Sequence, residues 1–204
     1  KNMKHIISIT TTSLAFLFLC SSCQMGQKNR KSSNKAQKAE RIVAPKFNAD
    51  SAFLYVTDQV DFGPRVPGSI GHKECALWLS KKLIDFDADV TVQNFKTRTY
   101  DNVTRSGQNI IASFNPEAAK RILLMAHWDT RPFADHDDNP DNYNTPIDGA
   151  NDGASGVGVL LEMARLFQLK SPVAGVDIVL FDLEDWGPPH EKQITYDEEY
   201  WGLG

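Results

Sequence analysis

The chain is short of cysteine, with three in 204 residues. Cys20 and Cys23 lie near the amino end and Cys75 stands alone, so no intrachain disulfide is expected. Cys75 reads instead as a buried structural thiol on a helix over residues 73–84, beside Ala76, Leu79 and Leu83. There is no internal repeat, no phosphate-cradling glycine loop and no serine-nucleophile elbow. These absences set aside solenoids, P-loop nucleotide chemistry and α/β-hydrolase chemistry. Excess positive charge is missing too. The formal net charge is -4 and no nucleic-acid motif is present, so neither DNA nor RNA is an expected partner.

Long apolar runs are also scarce. Met3-Lys4-His5 precedes IISITTTSLAFLFLC, a basic start followed by an apolar core too short to span a bilayer comfortably. Ser21-Ser22 then lead into Cys23. Residues 1–23 resemble a lipoprotein signal peptide, with Met3 as initiator and Cys23 as the lipid attachment point, although Cys20 occupies a position where leucine is usual. A signal peptide without lipidation is the alternative, and either exports the protein. The expected location is the periplasm or outer membrane of a Gram-negative bacterium, with a membrane contact through the lipid anchor. Residues 24–45 are rich in Lys, Gln, Ser and Asn, with little apolar content, and read as a flexible tether. Residues 46–204 are of ordinary single-domain size.

Within that domain, residues 121–126 (RILLMA) and 176–181 (VDIVLF) are short apolar runs. Both suit central strands of a parallel sheet. Between them, Val157, Leu160, Leu161, Ala164 and Phe167 share one helical face, with Ser155 as candidate N-cap. Strand, helix, strand is a crossover unit, right-handed in nearly all cases. Residues 89–95 and 109–114 are further strand candidates. In open α/β sheets ligands bind outside the carboxyl ends of the strands. His127, Asp129, Glu184 and Asp185 fall at such ends, and Asp152 lies in the glycine-rich turn GANDGASG before the helix. Taken singly, Asp129 reads as a turn cap, Asp152 as an N-D-G turn residue and Glu184-Asp185 as a solvated strand end. Taken together, a histidine and several carboxylates match the donor set of zinc, which keeps an open position in catalytic sites. Of two adjacent acids, one can ligate while the other handles a proton.

The motifs AHWDT, GANDGASGVGVLLEMAR and LFDLEDWG, with the segment DFGPRVPGSIGHKECALWLSKKL over residues 61–83, resemble the zinc aminopeptidase superfamily. Within it they resemble the bacterial glutaminyl-peptide cyclotransferases (glutaminyl cyclases) of the Bacteroidota type, and the resemblance runs from about Asp50 to the last residue. It implies a three-layer α/β fold with a mixed, centrally parallel sheet flanked by helices. It implies Asp152 and Asp185 as zinc ligands, Glu184 as the acid/base that shuttles a proton from substrate amine to leaving ammonia, and Trp186 close to the site. In two-metal aminopeptidases of the superfamily His127 would bind a second metal, bridged by Asp152, with Asp129 orienting His127. In cyclases the same His and Asp are present without binding zinc. The pair Glu184-Asp185 in place of Glu-Glu, the tryptophans Trp128 and Trp186, and the insertion PPHEKQITYDEEY are cyclase-like.

The superfamily also continues beyond the point where this sequence stops, so a third ligand histidine is expected past Gly204, and this chain alone is expected to bind zinc weakly and to be inactive. His136 and His190 read as solvent-facing loop residues. The resulting expectation is one zinc and, as substrate, peptide or protein N-termini bearing Gln. A two-zinc aminopeptidase is the alternative enzyme, and a non-catalytic binding domain on the same fold is the alternative from another class.

Overall fold

The computed structural model describes residues 43–189. The expectations for the signal segment, for Cys23, for most of the tether, for His190 and for the insertion beyond it lie outside the described residues. The described residues fall within one compact unit, Ile42–Gly204. Among them, no helix is long and apolar enough to cross a membrane.

The elements are α1 (Ala49–Val60), α2 (Ile70–Asp85), β1 (Asp89–Arg98), β2 (Thr104–Phe114), β3 (Arg121–His127), a 3₁₀ turn (Pro140–Asn142), α3 (Ala154–Leu169) and β4 (Gly175–Phe181). Asn48 caps α1 by accepting from the Ser51 N–H, and Ser69 caps α2 by accepting from the His72 N–H. α3 starts differently from the expected Ser155 cap. Gly153 holds the N-cap position without a side-chain bond, and the Ser155 hydroxyl donates to the Asn151 carbonyl at 2.5 Å. As the second residue of the helix, Ser155 has a carbonyl within reach of its hydroxyl, which therefore does not serve as the cap.

The strands form one mixed sheet in the order β1-β2-β4-β3. β1 with β2 and β2 with β4 are antiparallel, whereas β3 and β4 run parallel, with Ile122 opposite Val176 and His127 opposite Phe181. β4 is therefore interior, as expected, while β3 stands at the edge of the sheet among the described residues. Leu123 and Met125 on β3 are more than half exposed.

Alternation along the strands sends Ile110, Ala112, Phe114, Val176, Ile178 and Leu180 into one core with side chains of all three helices. The expected α3 stripe is inside: Val157, Leu161 and Ala164 are fully buried. Cys75 is buried and free, and burial pushes its thiol up to about 12, so it packs as an inert apolar group. α1 crosses α3 at Gly158, where a Cβ would come within 2.8 Å of the Ala52 carbonyl oxygen and of Val56. The crossing is pinned by the fully buried Glu162, which accepts from the Asn48 N–H at 2.9 Å and pairs with Arg165.

Because Leu161 sits at the junction of α3 with the sheet, Leu161→Ala should destabilise the fold by about 2–5 kcal/mol through lost burial and a residual cavity. Urea denaturation measures this, and a loss below ~1 kcal/mol would mean that the site collapses freely.

Candidate metal centre

Three segments converge at the carboxyl ends of β3 and β4. The first is His127-Trp128-Asp129, where β3 ends. The second is the turn before α3, which carries Asp152. The third follows β4, and here the structure departs from the simple strand end expected for Glu184-Asp185. β4 stops at Phe181, Leu183 adopts φ 64°, and Glu184 and Asp185 lie in a turn. A leucine in the left-handed region is held there by its surroundings, and such positions cluster at functional sites. The Asp152 turn depends on Gly153 at φ 89°, where a Cβ would also press to 2.8 Å from the Asp129 carbonyl oxygen.

One ligating atom from each of His127, Asp152 and Asp185 lies within 4.8 Å of the others. His127 Nε2 is 2.9 Å from Asp152 Oδ1. His127 Nδ1 faces Asp129 Oδ1 and Glu184 Oε2, both at 3.7 Å, which is a charge interaction rather than a hydrogen bond. Burial opposes the charged ring, but Asp129, Glu184 and Asp152 outweigh it and push His127 up to about 9. Asp185 moves the opposite way from an ordinary carboxyl. Burial first, then the charges of Asp152 and Asp129, raise it to about 7 against the pull of His127 and Arg131. Its buried Oδ2 has no hydrogen-bond partner among the described residues. A buried carboxylate oxygen without a donor, beside a second carboxylate and an imidazole, fits a divalent cation such as zinc.

Glu184 faces outward. Its side chain is half exposed, so the two adjacent acids differ in environment. Trp186 lies under the guanidinium of Arg105, 3.9 Å from the ring centroid, and its buried Nε1 is unpartnered among the described residues. His136, read from the sequence as a loop residue, is exposed.

Several contacts that shape the site escaped sequence reasoning. Asp129 does more than face His127: fully buried, it accepts the N–H groups of Glu184 at 3.3 Å and Asp185 at 3.2 Å. Arg131, paired with Asp135, donates to the Asp185 carbonyl at 3.4 Å and the Pro188 carbonyl at 2.9 Å. Arg65 is fully buried and donates to the carbonyls of Asp148 at 2.6 Å and Gly149 at 2.8 Å, which fixes the entrance to the Asp152 loop. Arg65 lies in the GPRVPG stretch, where its arginine between two prolines was the available signal. Nothing local says which carbonyls it meets.

The raised pKa of Asp185 sets a pH dependence. Its folded value exceeds the ordinary carboxylate value, so the metal-free site prefers the proton and becomes less stable as pH rises towards about 7. A cation must displace that proton. Zinc affinity should therefore rise between about pH 6 and 8, and a titration giving equal affinity at both ends would contradict this assignment.

Comparison with known proteins bears on the same residues. Residues 109–188, which span β2 to the Glu184-Asp185 turn, match peptidase family M28. The crystal structure of a Bacteroides thetaiotaomicron glutaminyl cyclase bound to N-acetylhistamine is 52% identical, with a TM-score of 0.76, over 78% of this chain and 55% of that one. A Zn-dependent exopeptidase from Parabacteroides distasonis is 49% identical, with a TM-score of 0.77, over 79% of this chain and 55% of that one. The glutaminyl-peptide cyclotransferase of Drosophila melanogaster is 29% identical over 140 residues, 61% of this chain and 35% of its own length. The chain thus spans about half the length of these solved structures and about a third of that curated relative. Residues 109–188 are thus similar to peptidase family M28, and the chain's structural neighbours include bacterial glutaminyl cyclases and a zinc exopeptidase.

Proposed function

We propose that the protein is a zinc-dependent glutaminyl-peptide cyclotransferase. The observation that carries this reading is the division of labour in the Glu184-Asp185 turn: Asp185 points an unpartnered oxygen inward beside Asp152, and Glu184 stands half exposed at the rim. Asp152 and Asp185 would hold one zinc ion, together with a ligand from outside the described residues. When bound, zinc supplies Lewis-acid polarisation of the substrate carbonyl.

The reaction needs a group that takes a proton from the α-amine of an N-terminal glutamine and returns it to the departing nitrogen. The amine forms a bond to the side-chain amide carbon, the bond from that carbon to the amide nitrogen breaks, and ammonia leaves a pyroglutamyl ring. Glu184 is accessible enough to serve, and its neighbour His127, held in a field of carboxylates, adds positive charge beside it. Trp186, flat and apolar and fixed by Arg105, would wall the substrate pocket.

A second reading is favoured by one observation. His127 belongs to the same three-residue ligand group as Asp152 and Asp185. A second zinc on His127 and Asp152 would make the protein an aminopeptidase with water as the nucleophile. The products separate the two. Given a glutaminyl dipeptide, the full-length protein, continued beyond Gly204, should release ammonia and a pyroglutamyl product by mass spectrometry. Release of free glutamine instead would establish the aminopeptidase.

Substitutions at the turn test the roles. Glu184→Gln keeps shape and loses the proton acceptor, so turnover should fall roughly 10²–10⁴-fold with zinc retained. Asp185→Asn should weaken zinc binding itself, because a neutral amide is a poorer ligand. Zinc lost from Glu184→Gln and kept by Asp185→Asn would reverse the two roles.

A further inference from the structure

Behind the metal centre lies a closed ring of four buried or partly buried residues from α2, β2 and the ends of β3 and β4. His72 Nε2 sits 2.9 Å from both carboxylate oxygens of Asp182. Asp182 Oδ2 accepts the Gln108 N–H at 2.7 Å. The Gln108 carbonyl accepts from Trp128 Nε1 at 3.2 Å. Trp128 closes the ring by stacking on His72, with centroids 4.4 Å apart and planes 21° from parallel. His72, Trp128 and Asp182 are all buried.

Each arm of the site is tied to this ring along the chain, directly at Trp128 and through Leu183 at Asp182. Trp128 stands between His127 and Asp129. Asp182 precedes the turn that carries Glu184 and Asp185, and its Oδ1 accepts the Leu183 N–H at 2.8 Å. Asp182 thus holds the residue whose backbone is left-handed. Its two oxygens take two contacts each, from His72 and Leu183 on one and from His72 and Gln108 on the other, which fills the acceptor capacity of a carboxylate. The backbone completes the link, since the Trp128 N–H donates to the Phe181 carbonyl at 3.0 Å.

We propose that His72 is a positioning residue that clamps the two arms of the metal centre in register, holding Asp182 with one edge of its imidazole and Trp128 with its face. His72 touches no ligand atom. It acts through Asp182 on the turn of Glu184 and Asp185, and through Trp128 on His127. The inference rests on the reading of those side chains as functional, and it assigns a reason for a buried histidine that the catalytic proposal leaves without one.

Two measurements on the full-length protein, continued beyond Gly204, test it. The first needs no metal. In His72→Ala, amide hydrogen exchange at residues 183–185 should speed up roughly tenfold relative to the amides of β4, the scale of one net hydrogen bond. His72→Gln, which restores a donor to Asp182, should recover much of the protection. Trp128→Phe keeps an aromatic ring and loses the bond to Gln108, so the same amides should loosen less; this variant also decides the matter if His72→Ala does not fold. Uniform acceleration over the whole chain, or unchanged exchange at 183–185, would overturn the clamp. The second measurement uses cobalt(II) as probe. His72→Ala should weaken cobalt binding roughly tenfold and shift its visible bands, with both restored by His72→Gln. Failure of the unsubstituted protein to take up cobalt would count against the metal-centre reading, while the exchange experiment would still decide the clamp. Unchanged cobalt affinity and spectrum in His72→Ala would overturn it.

Discussion

The carboxylate of Asp129 is fully buried, and its two oxygens receive the N–H groups of Glu184 and Asp185. The arrangement of the site depends on this contact. A buried carboxylate without donors would be costly, and a turn with unbonded N–H groups would be costly as well. Each resolves the other. The end of β3 is thereby joined to the segment after β4 at the place where two neighbouring strands release their chains. Asp185 can face inward because its backbone is held from behind, and Glu184 is left at the rim.

The same contact concentrates negative charge. Asp129, Asp152, Glu184 and Asp185 all bear on one imidazole, and burial raises both Asp129 and Asp185 above the ordinary carboxylate range. In the metal-free protein the charge is met by His127, by Arg131 and by protons. A divalent cation meets it more directly, which is why a site of this composition is poorly satisfied without one. The surrounding clamps keep the carboxylates from relaxing apart. Arg131 ties down the carbonyls of Asp185 and Pro188, Arg65 ties down the loop that leads to Asp152, and His72 with Asp182 braces the turn from below.

The fold supplies the rigid parts and leaves the chemistry on their ends. The core gathers one face of the sheet and the three helices, and α3 meets α1 closely enough that Gly158 is required. β3 is less enclosed: Leu123 and Met125 keep more than half their surface open among the described residues. His127, at its end, is nevertheless mostly enclosed, with the turns of Asp152 and Glu184 against it, so the site is built mainly by loops packed on one another rather than by the strands themselves.

Local pattern was enough for much of this. The apolar runs at 121–126 and 176–181 read as short strands and are strands, although only β4 is interior and β3 lies at the sheet edge among the described residues. The spacing of Val157, Leu160, Leu161 and Ala164 could only be one face of a helix, and the parallel pairing of β3 with β4 follows from a helix placed between two strands. That His127, Asp152 and Asp185 should meet was legible from their places at strand and loop ends, because the carboxyl edge of a parallel unit gathers them. What local pattern did not contain was the partner of each polar group. Ser155 looked like a cap and was not one, since the cap position falls two residues earlier, at Gly153. Glu184-Asp185 looked like a strand end and became a turn, because Asp182 captures the Leu183 N–H before it and Asp129 captures the N–H groups of Glu184 and Asp185. Arg65, His72 and Asp182 carry no sequence signal of what they hold. Their long-range partners lie 63 to 110 residues away along the chain, and a hydrogen bond across that separation exists only once the strands and helices have packed and excluded water from between them.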